Sequence, residues 1–262
     1  MNDCKKAILV VSFGTSYNDN REKTIGAIER QVAETYPDWE VRRAFTSRMI
    51  IRKLRERDGI EVDYVTDAMD RLAADGFKTV FIQPTHVMNG IEYDDVVRIA
   101  SEHLGSMDDL KMGRPLLTSS EDYDRLIDAL ESGLISSLED GEALVLMGHG
   151  SDHYANATYS QLQMKLWLRG IRNVFVTTVE GFPGFDDTIS LMDEAGVRKA
   201  VLFPLMVVAG DHANEDMAGD DDDSLRSILE SRGYGVRCIV RGMGEYPEFR
   251  NLFIDHIRDM MN

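Results

Sequence analysis

The sequence repeats itself, and this repeat limits the fold more than any other feature. Three segments of the first half align, in the same order, with three of the second: Ala7–Ser16 with Ala143–Asp152, Val41–Ser47 with Val174–Glu180, and Pro84–Glu92 with Pro204–His212. Glycines coincide in the first and last of these pairs. The repeat predicts a duplicated chain whose two similar domains, 1–137 and 138–262, face each other across a cleft.

Short β-rich runs alternate with helical periodicity along the whole chain, which is typical of a parallel sheet built from βαβ units. Eight strands are predicted, four in each half: Ala7–Ser12, Glu40–Phe45, Thr79–Gln83, Pro115–Thr118, Ala143–Met147, Asn173–Val179, Lys199–Pro204 and Val236–Val240. Apolar stripes at helical spacing between them, such as Val96/Ala100/Leu104, are expected to be core. The predicted fold is α/β: two Rossmann-like domains, each with a mainly parallel four-stranded sheet flanked by helices.

The net charge is −17, from 29 basic and 46 acidic residues. This balance disfavours nucleic acid and anionic membranes as partners, because both require clustered excess positive charge. No run approaches the roughly 20 apolar residues that span a bilayer, and the N-terminal segment lacks the apolar stretch of a signal peptide. We therefore expect a cytoplasmic protein.

Polar side chains follow three strands of the second half. His149, Glu180 and His212 each come after a predicted strand, and ligands in open α/β sheets bind at the carboxyl ends of strands. Two imidazoles and a carboxylate suit a divalent transition metal, and a histidine near its ordinary pKa also serves as a base. The same strand ends therefore predict either a metal site or a proton acceptor.

Two loops carry partial signatures of other chemistries. The glycines flanking His149 allow a close approach to a ligand, but Gly148 stands where phosphate-transferring histidine enzymes carry an arginine. The loop Ser12–Ser16 offers backbone N–H groups and hydroxyls to an anion, yet it lacks a full GxGxxG motif or a Walker lysine. A covalent histidine enzyme and a nucleotide site are both disfavoured.

Five ordered motifs resemble the class II chelatases, and among them the anaerobic cobalt chelatases of the CbiK family. They are Val11–Ser16, Pro84–Tyr93, Gly148–Asn156, Val179–Pro183 and Gly210–Gly219. The resemblance covers essentially the whole chain. It implies a duplicated two-domain fold and ATP-independent insertion of Co²⁺ into sirohydrochlorin on the anaerobic cobalamin route, without an organic cofactor, in a homo-oligomer.

The resemblance also implies roles for individual residues. His149, Glu180 and His212 match the family's metal-binding and proton-accepting residues, and Glu92 matches a further carboxylate of the cleft. We choose His149 as the base, since metallation replaces two pyrrole protons by the ion. The expected substrate-binding residues form the walls and the anion-binding loop of the cleft: Phe13, Gly14, Thr15, Ser16, Met88 and Gly90.

The same residues are compatible with two functions other than Co²⁺ insertion. Histidine and carboxylate ligands do not separate Co²⁺ from Fe²⁺, so iron insertion for siroheme is the nearest alternative. A non-catalytic protein that binds metal or tetrapyrrole is the other. An absorbance assay with sirohydrochlorin and each metal discriminates among the three.

One segment has a local charge opposite in sign to the net charge of the chain. Between Arg42 and Arg57 there are seven basic residues and one acidic residue, a local charge of +6. The segment begins in the second predicted strand and continues past its carboxyl end, where it could meet substrate carboxylates. A solvated helix face or a subunit contact explains the pattern equally well.

Overall fold

In the computed structural model the described residues are 5–262. Within them the chain forms eight strands: β1 Lys6–Ser12, β2 Glu40–Phe45, β3 Thr79–Pro84, β4 Asp109–Met112, β5 Glu142–Gly148, β6 Val174–Thr178, β7 Lys199–Pro204 and β8 Gly235–Cys238. The α-helices are α1 Asn18–Lys23, α2 Ile25–Thr35, α3 Arg48–Asp58, α4 Val65–Ala74, α5 Ile91–Glu102, α6 Ser120–Ser132, α7 Ala157–Leu168, α8 Phe185–Glu194, α9 Leu225–Ser231 and α10 Pro247–Met261. Met1–Cys4, part of the N-terminal segment considered above, lie outside the described residues.

The strands form two parallel sheets with the same topology. Their orders are β2-β1-β3-β4 and β6-β5-β7-β8. The central strands β1 and β5 are apolar runs with almost no exposed surface, as expected for strands covered by helices on both faces. The predicted fold class is confirmed.

The sheets agree in register as well as in order. Ile8 on β1 lies opposite Val41 on β2, and Leu144, its counterpart in the repeat, lies opposite Val174 on β6. The same correspondence holds between β3 and β7. The sequence alignment of the halves therefore describes structurally equivalent positions.

The described residues form two compact units. One contains the chain up to Thr118 together with Phe249–Asn262, and the other is Ser119–Glu248. Helix α6 belongs to the second unit, where Arg169 on α7 pairs with Asp128 at 2.6 Å. Helix α10 belongs to the first, where Arg114 pairs with Asp259 at 2.7 Å. The two units thus differ from the halves 1–137 and 138–262 by the placement of one helix each.

Two local predictions were wrong. The fourth strand is Asp109–Met112, whereas 115–118 form a loop in which the Leu116 and Leu117 N–H groups donate to the carbonyls of His86 and Val87. This short edge strand has no continuous apolar run, so its neighbour resembled a strand more closely. Leu104, expected in the core, lies beyond α5 and is 62% exposed.

Among the described residues, no helix combines the length and the apolar character needed to cross a bilayer.

Candidate metal centre

Three potential metal ligands lie together at one edge of the second sheet. His149 directly follows β5, Glu180 follows β6 by two residues, and His212 lies in the loop after β7. Because β5 is flanked by β6 and β7, the carboxyl ends of these three parallel strands adjoin. The sheet topology thus assembles three side chains that are distant in sequence.

The donor atoms of this trio all lie within 4.8 Å of one another. The Nδ1 of His149 is 3.8 Å from a carboxylate oxygen of Glu180, and the His149 and His212 ring centroids are 4.5 Å apart with an edge-on geometry of 84°. The side chains are 49%, 60% and 34% exposed for His149, Glu180 and His212 respectively. The centre is compact but open to solvent.

The loop that carries His149 is held by close packing around two glycines. A Cβ on Gly148 would lie 2.2 Å from the Tyr159 ring, and one on Gly150, whose φ is +85°, would lie 2.7 Å from the Gly181 nitrogen. Burial raises the pKa of Tyr159 to about 12, so the phenol stays neutral beneath the turn that carries His149. Both glycines are required by geometry, and His149 projects from a fixed turn.

Glu180 is tied to the same turn through the backbone. Its N–H donates to the His149 carbonyl at 2.8 Å, which continues the β5–β6 ladder beyond the strand ends. The Thr178 N–H and hydroxyl both donate to the Pro183 carbonyl, at 2.8 and 3.0 Å, and close the loop that follows. Main-chain hydrogen bonds therefore hold the backbone of Glu180 beside that of His149.

His212 is oriented by a carboxylate one turn further on. It precedes a π-helical turn, Ala213–Met217, and its Nδ1 lies 2.7 Å from an Asp216 oxygen. An ionised carboxylate only accepts, so this bond places the proton on Nδ1 and leaves the Nε2 lone pair free. Histidines that ligate metals are commonly oriented in this way.

His149 presents its ring similarly. Its Nδ1 lies 2.9 Å from the Gly150 carbonyl, which only accepts, so Nδ1 carries the proton and Nε2 has the free lone pair. Two imidazole nitrogens and one carboxylate are a donor set suited to Co²⁺, Fe²⁺ or Zn²⁺. The arrangement can hold a divalent cation or accept a proton.

The other predicted site residues lie in the first unit. Phe13 follows β1 and is 48% exposed. Gly14 has a φ of +101°, and a Cβ there would lie 2.6 Å from the Phe45 ring. Thr15 and Ser16 are buried, and the Thr15 hydroxyl already accepts the Tyr17 N–H at 3.2 Å. The side chains of Thr15 and Ser16 thus offer less surface to an anion than the sequence suggested.

Three further predicted residues follow β3. Met88 is half-buried and Gly90 is buried in the loop, and a Cβ on Gly90 would lie 3.4 Å from the Met88 methyl group. Glu92 lies in the first turn of α5, at the register position that His212 occupies in the second half.

The basic segment is largely paired. Of its seven cations, Arg42, Arg43, Arg55 and Arg57 form ion pairs with nearby carboxylates. Arg48 stacks 3.7 Å from the Tyr64 ring centroid, and within 5–262 no carboxylate lies within ion-pair distance of Arg52 or Lys53. The local charge of +6 reduces to a smaller patch at the start of α3.

Sequence reasoning assigned no role to Asp216 or Tyr159, although both position the donors. Asp216 had a usable signal, because residues four apart on a helix share a face. Tyr159 had none, since its contact with Gly148 arises only when α7 packs on the sheet.

Two solved structures share the fold of this chain. The fold is that of the chelatases: SirB from Bacillus subtilis, solved with Fe³⁺, aligns with a TM-score of 0.65 at 14% identity, covering 98% of this chain and 95% of SirB. CbiX, the terminal enzyme of siroheme biosynthesis in denitrifying bacteria, aligns with a TM-score of 0.56 at 15% identity, covering 97% of this chain and 99% of CbiX.

The chain belongs to the cobalt chelatase (CbiK) family, whose profile matches residues 6–262. It is 43% identical to a sirohydrochlorin cobaltochelatase of Salmonella typhimurium over 258 residues, covering 98% of this chain and 97% of that protein. It is also 35% identical to the sirohydrochlorin cobaltochelatase CbiKC of Nitratidesulfovibrio vulgaris, covering 97% and 89% respectively.

Proposed function

We propose that this protein is an enzyme that inserts Co²⁺ into sirohydrochlorin, the activity named for its Salmonella and Nitratidesulfovibrio relatives. One observation carries the proposal: His149, Glu180 and His212 place three donors within 4.8 Å at adjoining strand ends, in a chain of the cobalt chelatase family. In this proposal the cation is a substrate.

The openness of the donor set supports a transient role. A structural metal site is closed by its ligands, whereas a substrate ion must enter and leave. The exposure of all three side chains leaves coordination positions available to water and then to ring nitrogens. One carboxylate neutralises part of the 2+ charge, so the ion is attracted without being fully compensated.

Proton removal is assigned to His149. Insertion releases two pyrrole protons, and the imidazole of His149 is a base that can accept one of them. The Nε2 lone pair that holds the cation becomes free when the cation moves to the macrocycle, and it then accepts a proton. Departure of the metal from the protein and deprotonation of the ring are thereby coupled.

The first half is assigned to the macrocycle. Phe13, Met88 and the Gly90 backbone are proposed as apolar walls, and the backbone N–H groups from Gly14 to Ser16 as partners for a substrate carboxylate. Glu92 is proposed to assist proton removal, since it stands at the register position of His212. Its replacement by glutamine should lower kcat with no change in the binding of Co²⁺ alone.

The test is a metallation assay followed by absorbance. Purified protein without ATP is mixed with sirohydrochlorin and Co²⁺, and the spectrum should convert to that of the cobalt complex faster than in a protein-free control. Binding of both substrates with no acceleration would contradict the proposal. Parallel reactions with Fe²⁺ determine metal preference, which this donor set does not distinguish.

A further inference from the structure

A side chain outside the donor set links the two loops that carry His149 and Glu180. Asn156 accepts the Ser151 N–H on its Oδ1 at 3.0 Å and donates from its Nδ2 to the Phe182 carbonyl at 2.7 Å. Ser151 lies two residues after His149, and Phe182 lies two residues after Glu180. One amide therefore bridges both loops just beyond the two ligands.

The helix that Asn156 precedes does not account for this side chain. Asparagine is favoured at the start of a helix because its side chain accepts a backbone N–H of the first turn. Asn156 occupies that position before α7, but it has helical backbone angles, φ −57° and ψ −24°, and makes no such bond. Its amide is directed at the two loops.

The surrounding packing leaves little room for another arrangement. A Cβ on Gly181 would lie 2.5 Å from the Asn156 Oδ1 and 3.0 Å from the Ser151 nitrogen. A Cβ on Gly150 would lie 2.8 Å from the Glu180 carbonyl carbon. The loops touch through two glycines, and the amide fills the space where they meet.

Among the described residues, the backbone hydrogen bonds between these loops extend as far as Glu180, whose N–H donates to the His149 carbonyl. Beyond that residue Asn156 supplies the connection, since a carboxamide offers one acceptor and one donor at fixed separation. We propose that Asn156 is a positioning residue that sets the spacing of His149 and Glu180 for the metal. This inference rests on the proposed function of the metal centre.

His212 provides an internal contrast. Its orientation depends on Asp216, and the adjacent Asn214 donates to the Gly210 carbonyl within the same loop. Neither contact involves Asn156. Loss of the amide should therefore disturb two of the three ligands and leave the third in place, which weakens metal binding without abolishing it.

The experiment is a titration of metal-free full-length protein with Co²⁺ alone, followed by visible absorption. Asn156→Ala removes both hydrogen bonds, and Asn156→Asp keeps the acceptor for Ser151 but loses the donor to Phe182. We expect both variants to raise the Kd for Co²⁺ by about 10- to 100-fold, the range found for partners that orient metal ligands. The KM for Co²⁺ should rise in parallel, with kcat at saturating Co²⁺ within about threefold of the wild type.

The matched control is Asn251→Ala. The Asn251 side chain accepts a hydrogen bond from Gln31 at 2.6 Å on the surface of the first unit, so its loss should leave Co²⁺ binding unchanged. Urea unfolding of each variant verifies that the titrated protein is folded. Should Asn156→Ala not fold, Asn156→Asp carries the test.

His149→Ala separates the two claims. If it loses Co²⁺ binding while both Asn156 variants bind like the wild type, the positioning role is refuted and the proposed metal centre stands. A fall in kcat with unchanged Kd in the Asn156 variants also refutes it. If His149→Ala binds Co²⁺ normally, the metal centre itself is refuted.

Discussion

The two halves of the chain share a backbone but differ in the side chains at its functional edge. Both sheets have the same order and register, and the glycine after the first strand of each has a positive φ, +101° at Gly14 and +85° at Gly150. At the three equivalent strand ends the first half carries Phe13, Ser47 and Glu92, and the second carries His149, Glu180 and His212.

The two halves therefore share a backbone conformation at this edge, whereas their side chains determine the chemistry. Glycine at the equivalent turn lets each loop adopt the same conformation. The backbone at this edge of each sheet is therefore a property of the repeated fold. Metal-binding capacity then depends on which side chains occupy the three positions. Exchanging residues between equivalent positions therefore tests whether the second half alone holds the metal, and the predictions below follow in order of decreasing effect.

The largest effect is expected for His149→Phe, which gives the second half the residue of the first. The variant loses a metal ligand and the proposed base together. Loss of a general base alone typically lowers rates by about 10²- to 10⁴-fold, so cobalt–sirohydrochlorin formation should fall by at least about 100-fold. Initial rates measured by absorbance at saturating substrates check this.

The control for that exchange is His153→Phe. His153 lies in the same loop but outside the donor set, where its Nδ1 accepts the Ala155 N–H at 3.2 Å. We expect it to keep a rate within about threefold of the wild type. Equal losses in the two variants would indicate damage to the loop rather than loss of a ligand and base.

The second exchange concerns the remaining ligands, Glu180→Ser and His212→Glu. Each removes one donor or alters its charge while His149 remains, so the KM for Co²⁺ should rise by at least the roughly 10- to 100-fold that loss of a ligand-orienting partner costs, with a smaller change in kcat. Glu194→Ser, which removes an exposed carboxylate at the end of α8, is the control. Unchanged metal dependence in both exchange variants would argue against their ligand role.

The third prediction concerns stability and His86, whose counterpart in the second half is Met206. Both ring nitrogens of His86 are buried without a hydrogen-bond partner among the described residues, and desolvation lowers its pKa to about 4. At pH values between about 4 and 6.5, His86 binds a proton in the unfolded chain but not in the folded one. Stability should therefore be lost as pH falls through this window.

His86→Met removes this linkage. Between pH 7.5 and 5.0 the wild type should lose about 2 kcal/mol more unfolding free energy than the variant. Urea unfolding of both proteins at both pH values measures the difference, and other titrating groups cancel in the comparison. An equal loss in the two proteins would show that His86 does not titrate in this way.

The smallest effect is expected for Arg48 and Arg52 at the start of α3, which are not among the ion-paired cations described above. Replacing Arg48 and Arg52 together by alanine should raise the KM for sirohydrochlorin several-fold with kcat retained, because exposed charge contacts contribute roughly 1 kcal/mol or less. Arg55→Ala, whose guanidinium pairs with Glu61 at 2.9 Å, is the control. An unchanged KM for sirohydrochlorin would indicate that this helix face is a solvated surface that does not contact the substrate.

Much of the fold was predictable because the core strands are continuous apolar runs and because the repeat doubles the signal. Glu40–Phe45 and Lys199–Pro204 were predicted with the bounds they have in the structure. The edge strand β4 was missed because half-buried strands mix polar and apolar residues. Membership of α6 and α10 in the two units was not predicted, since helix periodicity says which face is buried but not against which sheet.

The convergence of His149, Glu180 and His212 was also predictable, since parallel strands bring their carboxyl ends to one edge. The supporting contacts were less so. Asp216 and Asn156 act through side-chain hydrogen bonds whose partners are fixed only in three dimensions. The charge of the segment from Arg42 to Arg57 was misleading for the same reason, because the sequence does not show which carboxylates pair with it.

The most direct test of the central claim is anomalous X-ray scattering at the cobalt edge from crystals soaked with Co²⁺. We expect one strong peak about 2.0–2.2 Å from donor atoms of His149, Glu180 and His212, and no comparable peak at Phe13, Ser47 and Glu92. A principal peak at the strand ends of the first half, or none at the three donors of the second, would contradict it.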